Sequence, residues 1–198
     1  MPARKIPTTR DIYQLKITLL GTRPPIWRRV LVPADLTLAQ IHDVLQVAMG
    51  WEDCHLHEFR IGRQRFGAPD PEEDSLDEGK VRLSDVLKRA GAKAEYTYDF
   101  GDGWEHSIVV EKVLTPEPGV AYPVCTAGKR RGPPEDCGGP YGYYELVEAV
   151  RDPKHERHEE MRDWVDDDFD PEAFSIDDVN QRLAPPQRRR AKKSGATN

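Results

Sequence analysis

Cysteine is scarce in this chain, with three residues in 198, and that excludes a disulfide framework as the source of its stability. Long apolar runs are missing too. None approaches the length of a bilayer-spanning helix, and the N-terminus lacks the apolar stretch of a secretory signal. No membrane partner is expected, and the cytoplasm is the expected location. Also absent are the Gly-x-x-x-x-Gly-Lys-Ser/Thr loop, the Gly-x-Gly-x-x-Gly fingerprint, the Gly-x-Ser-x-Gly elbow, the His-Glu-x-x-His helix and the kinase motif set. Those absences argue against an enzyme of a common type. The chain has no internal repeat.

Charge is plentiful. Lys and Arg number 29 against 35 Asp and Glu, for a net charge of -6. The protein as a whole is therefore not drawn to nucleic acid or to anionic lipid. The charge is uneven: residues 72–78 and 156–178 are acidic, whereas Arg188, Arg189, Arg190, Lys192 and Lys193 make the end basic. Such an end is a solvated tail or a nucleic-acid contact. Residues 1–11 read as a flexible lead and 12–184 as a single α+β domain. Within that domain, 152–184 form an acidic helical extension, and 185–198 read as a disordered basic tail.

Periodicity sets the elements. Tyr13, Leu15, Ile17 and Leu19 alternate over 13–20, and a second strand over 26–32 follows a short Gly/Pro loop. Thr37 and Gln40 make a capping box for a helix carrying Leu38, Ile41, Leu45 and Ala48, which Gly50 ends. A third strand is expected over 55–61, with His55, His57, Phe59 and Ile61 on one face. Residues 70–78 are expected as an exposed loop, and Ser84 as the cap of a short helix. Tyr96, Tyr98 and Phe100, then Trp104, His106, Ile108 and Val110, alternate on either side of Gly101-Asp102-Gly103, the pattern of a tight hairpin. Residues 116–140 show no period and are expected as a long loop. Helices follow over 141–150 and 155–165, the latter with Met161, Trp164 and Val165 inward, and a last one runs from Ser175 to Leu183.

Three histidines fall on predicted inward faces: His55, His57 and His106. A His-x-His pair on a strand projects both rings to one side, and a third imidazole from a neighbouring strand would complete a catalytic-type zinc site. The simpler reading makes them hydrogen-bonded histidines of the core or its rim. Cys125 and Cys137 bracket the Gly/Pro-rich loop at a spacing unlike a zinc ribbon. They would bind metal only by meeting each other or the histidines in space, and otherwise are free thiols. Cys54 is expected on the face opposite His55. Asp99, Asp102, Glu135 and Asp136 are the nearest acids. Asp102 is most simply a turn residue, while Asp99, expected on the outward face of its strand, would serve as a general base or orient a histidine. With Trp104 these residues make up the candidate polar cluster.

Four blocks carry a resemblance. They are Tyr13-Gln14-Leu15-Lys16-Ile17 with Pro25-Ile26-Trp27-Arg28-Arg29; residues 36–51 with His55-Leu56-His57-Glu58-Phe59; the run from Tyr98 to His106; and Pro133-Pro134-Glu135-Asp136-Cys137-Gly138-Gly139. Together they resemble the Ri-plasmid open-reading-frame-three family over about residues 10–183. Some of its members are labelled transposon passenger proteins of a resolvase-like name. The resemblance implies a compact α+β fold found on plasmids, mobile elements and chromosomes, and implies no assigned reaction. The resolvase label does not carry over, because no serine- or tyrosine-recombinase catalytic set is present. Similar sequences often place Cys directly before Pro-Pro-Glu-Asp, where this chain has Gly132.

The expected fold is α+β. A mixed or antiparallel sheet opens with a hairpin and a helix in a β-grasp-like start, is covered by helices, and ends in a helical C-terminal part. Three functions compete. The first is a non-catalytic binding or regulatory module for a protein, peptide or nucleic acid, with Trp27, Trp51, Trp104 and Tyr141 near its groove. The second is a metal-dependent hydrolase or nuclease built on His55, His57 and His106 with Asp99 or Asp102. The third is a structural role through the acidic C-terminal helices.

Overall fold

The computed structural model describes residues 11–70 and 74–184. Apart from Asp11, the expected flexible lead lies outside the described residues, as does the expected basic tail. Strands β1 (Ile12–Leu19) and β2 (Ile26–Pro33) form the opening hairpin. Tyr13, Leu15, Ile17 and Leu19 bury one face with Ile26, Arg28, Val30 and Val32, while Gln14, Lys16 and Arg29 point the other way. Helix α1 (Leu38–Met49) starts where the Thr37 hydroxyl accepts from the Gln40 N–H and the Gln40 carboxamide oxygen accepts from the Thr37 N–H. Gly50, at φ 91°, stops it in the left-handed conformation that glycine tolerates best.

Next come β3 (His57–Ile61), β4 (Gln64–Gly67), β5 (Leu76–Asp77), a 3-10 turn Glu78–Lys80 and α2 (Leu83–Val86). A long hairpin follows, β6 (Lys93–Tyr98) with β7 (Trp104–Leu114). Then come β8 (Val124–Lys129), α3 (Gly139–Arg151), α4 (His158–Trp164) and α5 (Ile176–Leu183).

The chain is an α+β protein. Its eight-stranded open sheet has the order β5-β4-β3-β6-β7-β1-β2-β8. Every pairing is antiparallel except β4 with β5. α1 packs on the apolar face, which carries the aromatic residues Tyr96, Tyr98, Trp104 and Phe59. The opposite face is polar: Glu111 accepts from Arg29 at 2.6 and 3.0 Å and from Gln14 at 2.6 Å. One buried and one wet face is what strict alternation produces in an antiparallel sheet. Among the described residues no helix is long and apolar enough to cross a membrane.

Several local expectations are corrected. The stretch 116–140 is not all loop, because β8 pairs with β2 as an edge strand. The stretch 70–78 is not all exposed loop: β5 and the first residue of the 3-10 turn fall within it, and Glu78 is 5 % exposed because His57 meets it inside. The short helix begins after Arg82 rather than at Ser84, since the Asp85 carboxylate accepts from the Arg82 N–H at 3.2 Å. Trp164 is 46 % exposed, because α4 buries none of its residues fully. His55 precedes β3, so strand alternation does not govern it.

Candidate metal centre

Two polar clusters flank the C-terminal end of β6, one at Tyr96 and one at Tyr98. The Tyr96 cluster is closed. The rings of His42 and His57 stack face to face with centroids 3.5 Å apart and planes 6° from parallel. Gln46 Nε2 donates to the Tyr96 hydroxyl at 3.2 Å, so that hydroxyl is free to donate to His42 Nδ1 at 2.8 Å. That leaves Nε2–H of His42 to donate to Asp53 Oδ1 at 2.7 Å. His57 Nε2 meets both Glu78 carboxylate oxygens at 3.0 Å. Burial, then the neighbouring His57, lower the pKa of His42, with Asp53 opposing. Each of these groups has its partner.

The Tyr98 cluster is different. Cys54 N–H donates to the Tyr98 hydroxyl at 3.1 Å, and that hydroxyl donates to Glu135 Oε1 at 2.9 Å. Glu52 N–H also donates to Oε1, at 2.9 Å. Burial raises the Tyr98 pKa, and its hydrogen bonds to Cys54 and Glu135 add to the rise. Beside this chain of bonds stands His55 Nε2, 3.1 Å from Asp136 Oδ1, 3.7 Å from Asp99 Oδ2 and 4.0 Å from Glu135 Oε2. Both His55 Nε2 and Glu135 Oε2 are buried with no hydrogen-bond partner. The ligand-type atoms of His55, Asp99 and Asp136 all lie within 4.8 Å of one another, as do those of Cys54, His55 and Glu135, and, in the Tyr96 cluster, those of His42, Asp53 and His57. Nitrogen and oxygen atoms that converge without bonding one another are arranged as metal ligands are.

Local backbone brings them together. Asp99 and Asp136 both sit at φ 55°, a left-handed conformation that Asp adopts more readily than most residues. Asp99 Oδ1 accepts from Gly101 N–H at 2.9 Å, which leaves Oδ2 facing His55. Its strand has ended by then, so Asp99 is buried rather than outward as alternation predicts. The 133–136 loop is pinned by Trp51, whose Nε1 donates to the Pro133 carbonyl at 2.9 Å. On the far side, Asp102 Oδ2 accepts from Gly138 N–H at 3.1 Å, so the hairpin turn abuts the start of α3.

The sequence-derived residues therefore divide. Asp99, Glu135 and Asp136 each approach His55 Nε2. His57 belongs to the closed Tyr96 cluster. His106 lies in the core with Nδ1 directed at the carbonyl oxygens of Trp104 (3.1 Å) and Tyr96 (3.3 Å), and burial brings its pKa down to about 4. Among the described residues no metal-type cluster unites His55, His57 and His106. Asp102 serves the turn, and Trp104 is buried in the core. Cys125 donates to the Ala127 carbonyl, and burial pushes the Cys137 thiol up to about 12; neither joins such a cluster. Cys54, expected on the opposite face, stands beside His55 instead. It and Tyr98 are site residues that the sequence reading missed.

A family model described as plasmid pRiA4b ORF-3-like protein matches residues 11–178. The chain belongs to that family. One relative of this pRiA4b ORF-3-like protein is the uncharacterized protein y4hQ of Sinorhizobium fredii (strain NBRC 101917 / NGR234). It is 42% identical over 177 residues, covering 87% of this chain and 91% of the relative. A solved structure, the protein of unknown function MM3350 from Methanosarcina mazei Go1, is similar at a TM-score of 0.82 and 43% identity. That match covers 87% of this chain and 99% of MM3350. In this pRiA4b ORF-3-like chain a groove of about 780 Å³ opens beside the centre. Its walls are the end of α1, the 131–135 segment and residues between 164 and 182, and Glu135 belongs to both the groove and the cluster.

Proposed function

We propose that the chain is a binding protein in which a divalent cation, held by His55, Asp99, Glu135 and Asp136, orders the wall of a ligand groove. One observation carries this reading: His55 Nε2 and Glu135 Oε2 are buried, without a hydrogen-bond partner and 4.0 Å apart, with Asp136 and Asp99 carboxylate oxygens 3.1 and 3.7 Å from the same nitrogen. A cation among the four would give each a partner and would offset the repulsion of three carboxylates. One imidazole with three carboxylates suits a borderline or hard divalent ion such as Mn²⁺ or Zn²⁺. Because Glu135 also lines the groove, loading the ion and ordering the groove wall are coupled.

The role is binding or regulatory. Exposed Glu52, Asp166, Asp168 and Asp178 around the groove favour a protein or peptide partner over nucleic acid. Residues 12–184 act as one domain, with the helical extension as part of the groove wall. Free thiols at Cys54, Cys125 and Cys137 fit a reducing cytoplasm, and the plasmid in the family description supports carriage on plasmids.

The test is calorimetric titration of tag-free protein with Mn²⁺, Zn²⁺, Mg²⁺ and Ca²⁺, with bound metal measured by elemental analysis. The expected result is a single site that is lost in His55→Ala and retained in His57→Gln. A thiol reagent should label Cys54 more slowly once the ion is bound. Failure of all four ions to bind, or a His55→Ala protein that binds like the wild type, would overturn the reading.

A further inference from the structure

Arg28 is an interior cation with no carboxylate paired to it among the described residues. Alternation in β2 puts it on the core face between Ile26 and Val30, where it is 2 % exposed. Its Nε donates to the Ala48 carbonyl at 2.6 Å, and Nη1 donates to the carbonyls of Trp27 and Lys129 at 2.9 and 3.0 Å. The Phe174 ring covers the guanidinium, its centroid 4.1 Å from Cζ. Gly128 leaves room for that stack, since a Cβ there would collide with the Phe174 ring. These contacts fix the side chain in place, yet none carries a full negative charge. Among the described residues Nη2 has no acceptor, and no Asp or Glu pairs with the guanidinium. Burial lowers its pKa to about 10, so it remains charged at neutral pH.

A buried charge is costly unless it is paired. Arg28 lines the groove, so a counter-charge can reach it from outside the chain. The groove mouth carries more acidic than basic groups. Glu52, Asp166, Asp168 and Asp178 line it and are exposed; against these four stand Arg182, also exposed, and Arg131, which meets Asp166 at 2.9 Å and Asp168 at 3.3 Å. A dianion such as phosphate would be repelled by those carboxylates. With Nε and Nη1 already engaged, the remaining N–H groups of Nη2 suit one carboxylate oxygen better than a bidentate partner.

We propose that the groove binds a basic ligand through a single carboxylate seated on Arg28, with cationic groups of the ligand meeting the acidic mouth. The chemistry is that of a basic amino acid or of a peptide ending in one. The Arg28 seat shares none of the residues of the neighbouring centre. The probes are therefore titrated into chelator-treated protein, and either reading can fail without the other.

The probes are L-arginine against agmatine, which lacks the carboxylate, and the tripeptide Ala-Ala-Arg as free acid against its C-terminal amide. Calorimetry and quenching of the fluorescence of Trp164, which lines the groove, read the binding. At least one acid should bind at millimolar concentration or below. Its carboxylate-free counterpart should be weaker by about tenfold or more, the size of one charge-assisted hydrogen bond. Preference for the free amino acid or for the tripeptide identifies which source is bound. Arg28→Gln should abolish the difference between acid and counterpart. Asp178→Asn should weaken both members of a pair alike. If Arg28→Gln does not fold, the wild-type comparison decides alone. Equal affinity for acid and counterpart in the wild type, or binding of neither acid, would overturn the proposal.

Discussion

Trp51 and Pro133 are joined across 82 positions of sequence by one hydrogen bond, from the indole Nε1–H to the proline carbonyl oxygen at 2.9 Å. Trp51 follows the end of α1, and Pro133 opens the loop that carries Glu135 and Asp136. Gly132, just before, lies so close to the Met49 carbonyl oxygen that a Cβ there would collide with it. The loop is thus moulded onto the helix end.

Trp51→Phe keeps most of the ring packing but leaves the Pro133 carbonyl without its donor. The expected cost is about 1–3 kcal/mol of folding stability in denaturant unfolding. Affinity of the His55 centre for a divalent ion should fall in the same variant. Reduced stability with unchanged ion affinity would mean that the loop holds its shape without Trp51.

Acid should destabilise the fold in two windows. Burial lowers the His106 pKa from its ordinary 6.5 to about 4 in the folded protein. Between those values the unfolded chain binds a proton that the folded chain refuses, so stability falls as pH drops. The slope approaches about 1.4 kcal/mol per pH unit for one proton. Glu111, hydrogen-bonded by Arg29, is lowered from 4.5 to about 2. Its contribution is complete above the upper value and is lost as pH falls towards the lower one. Unfolding curves of His106→Gln between pH 7 and 4 should be flatter than those of the wild type. An unchanged slope would show that His106 is not the group responsible.

Two glycines with similar backbones should respond differently to alanine. Gly50 has φ 91° and open space where a Cβ would go, whereas Gly139 has φ 68° and the Asp102 carbonyl in the way. Gly50→Ala should cost roughly 1 kcal/mol, from the backbone alone. Gly139→Ala should cost more, because the hairpin turn must also move away from α3. Thermal melts that rank the two equally would contradict the close approach.

Much of the fold was legible because the residues that build it obey simple periods. The opening hairpin, the Thr37–Gln40 box, the Gly50 stop, the β6–β7 hairpin and the Ser175 cap all follow local rules. β8 was not legible. Val124 to Lys129 includes Thr, Ala and Gly, and as an edge strand it buries only Cys125 fully. Glu78 was hidden within an acidic run, and only its pairing with His57 makes its burial affordable.

The centre was half legible. His55, Asp99, Glu135 and Asp136 were recognisable by residue type, but the alternation that grouped His55 with His57 fails before β3 begins. Left-handed turns at Asp53, Asp99 and Asp136 re-aim the chain in a way no period records. Arg28 carried a signal that went unused: it shares the inward parity of Ile26, Val30 and Val32. A charged residue in phase with a core strand points to a buried cation.

The ladder between β1 and β7, in which Ile17 opposes Ile108, has a consequence for biosynthesis. While the ribosome is still making β6, β1 has only β2 beside it, and the sheet is two separate fragments with bare edges. Joining them waits for β7, and such distant pairings form slowly. Glu135 and Asp136 are added later still. A nascent chain interrupted before them would own most of the sheet but none of the completed centre, so, under the proposed function, metal uptake would mark molecules whose synthesis has passed that point.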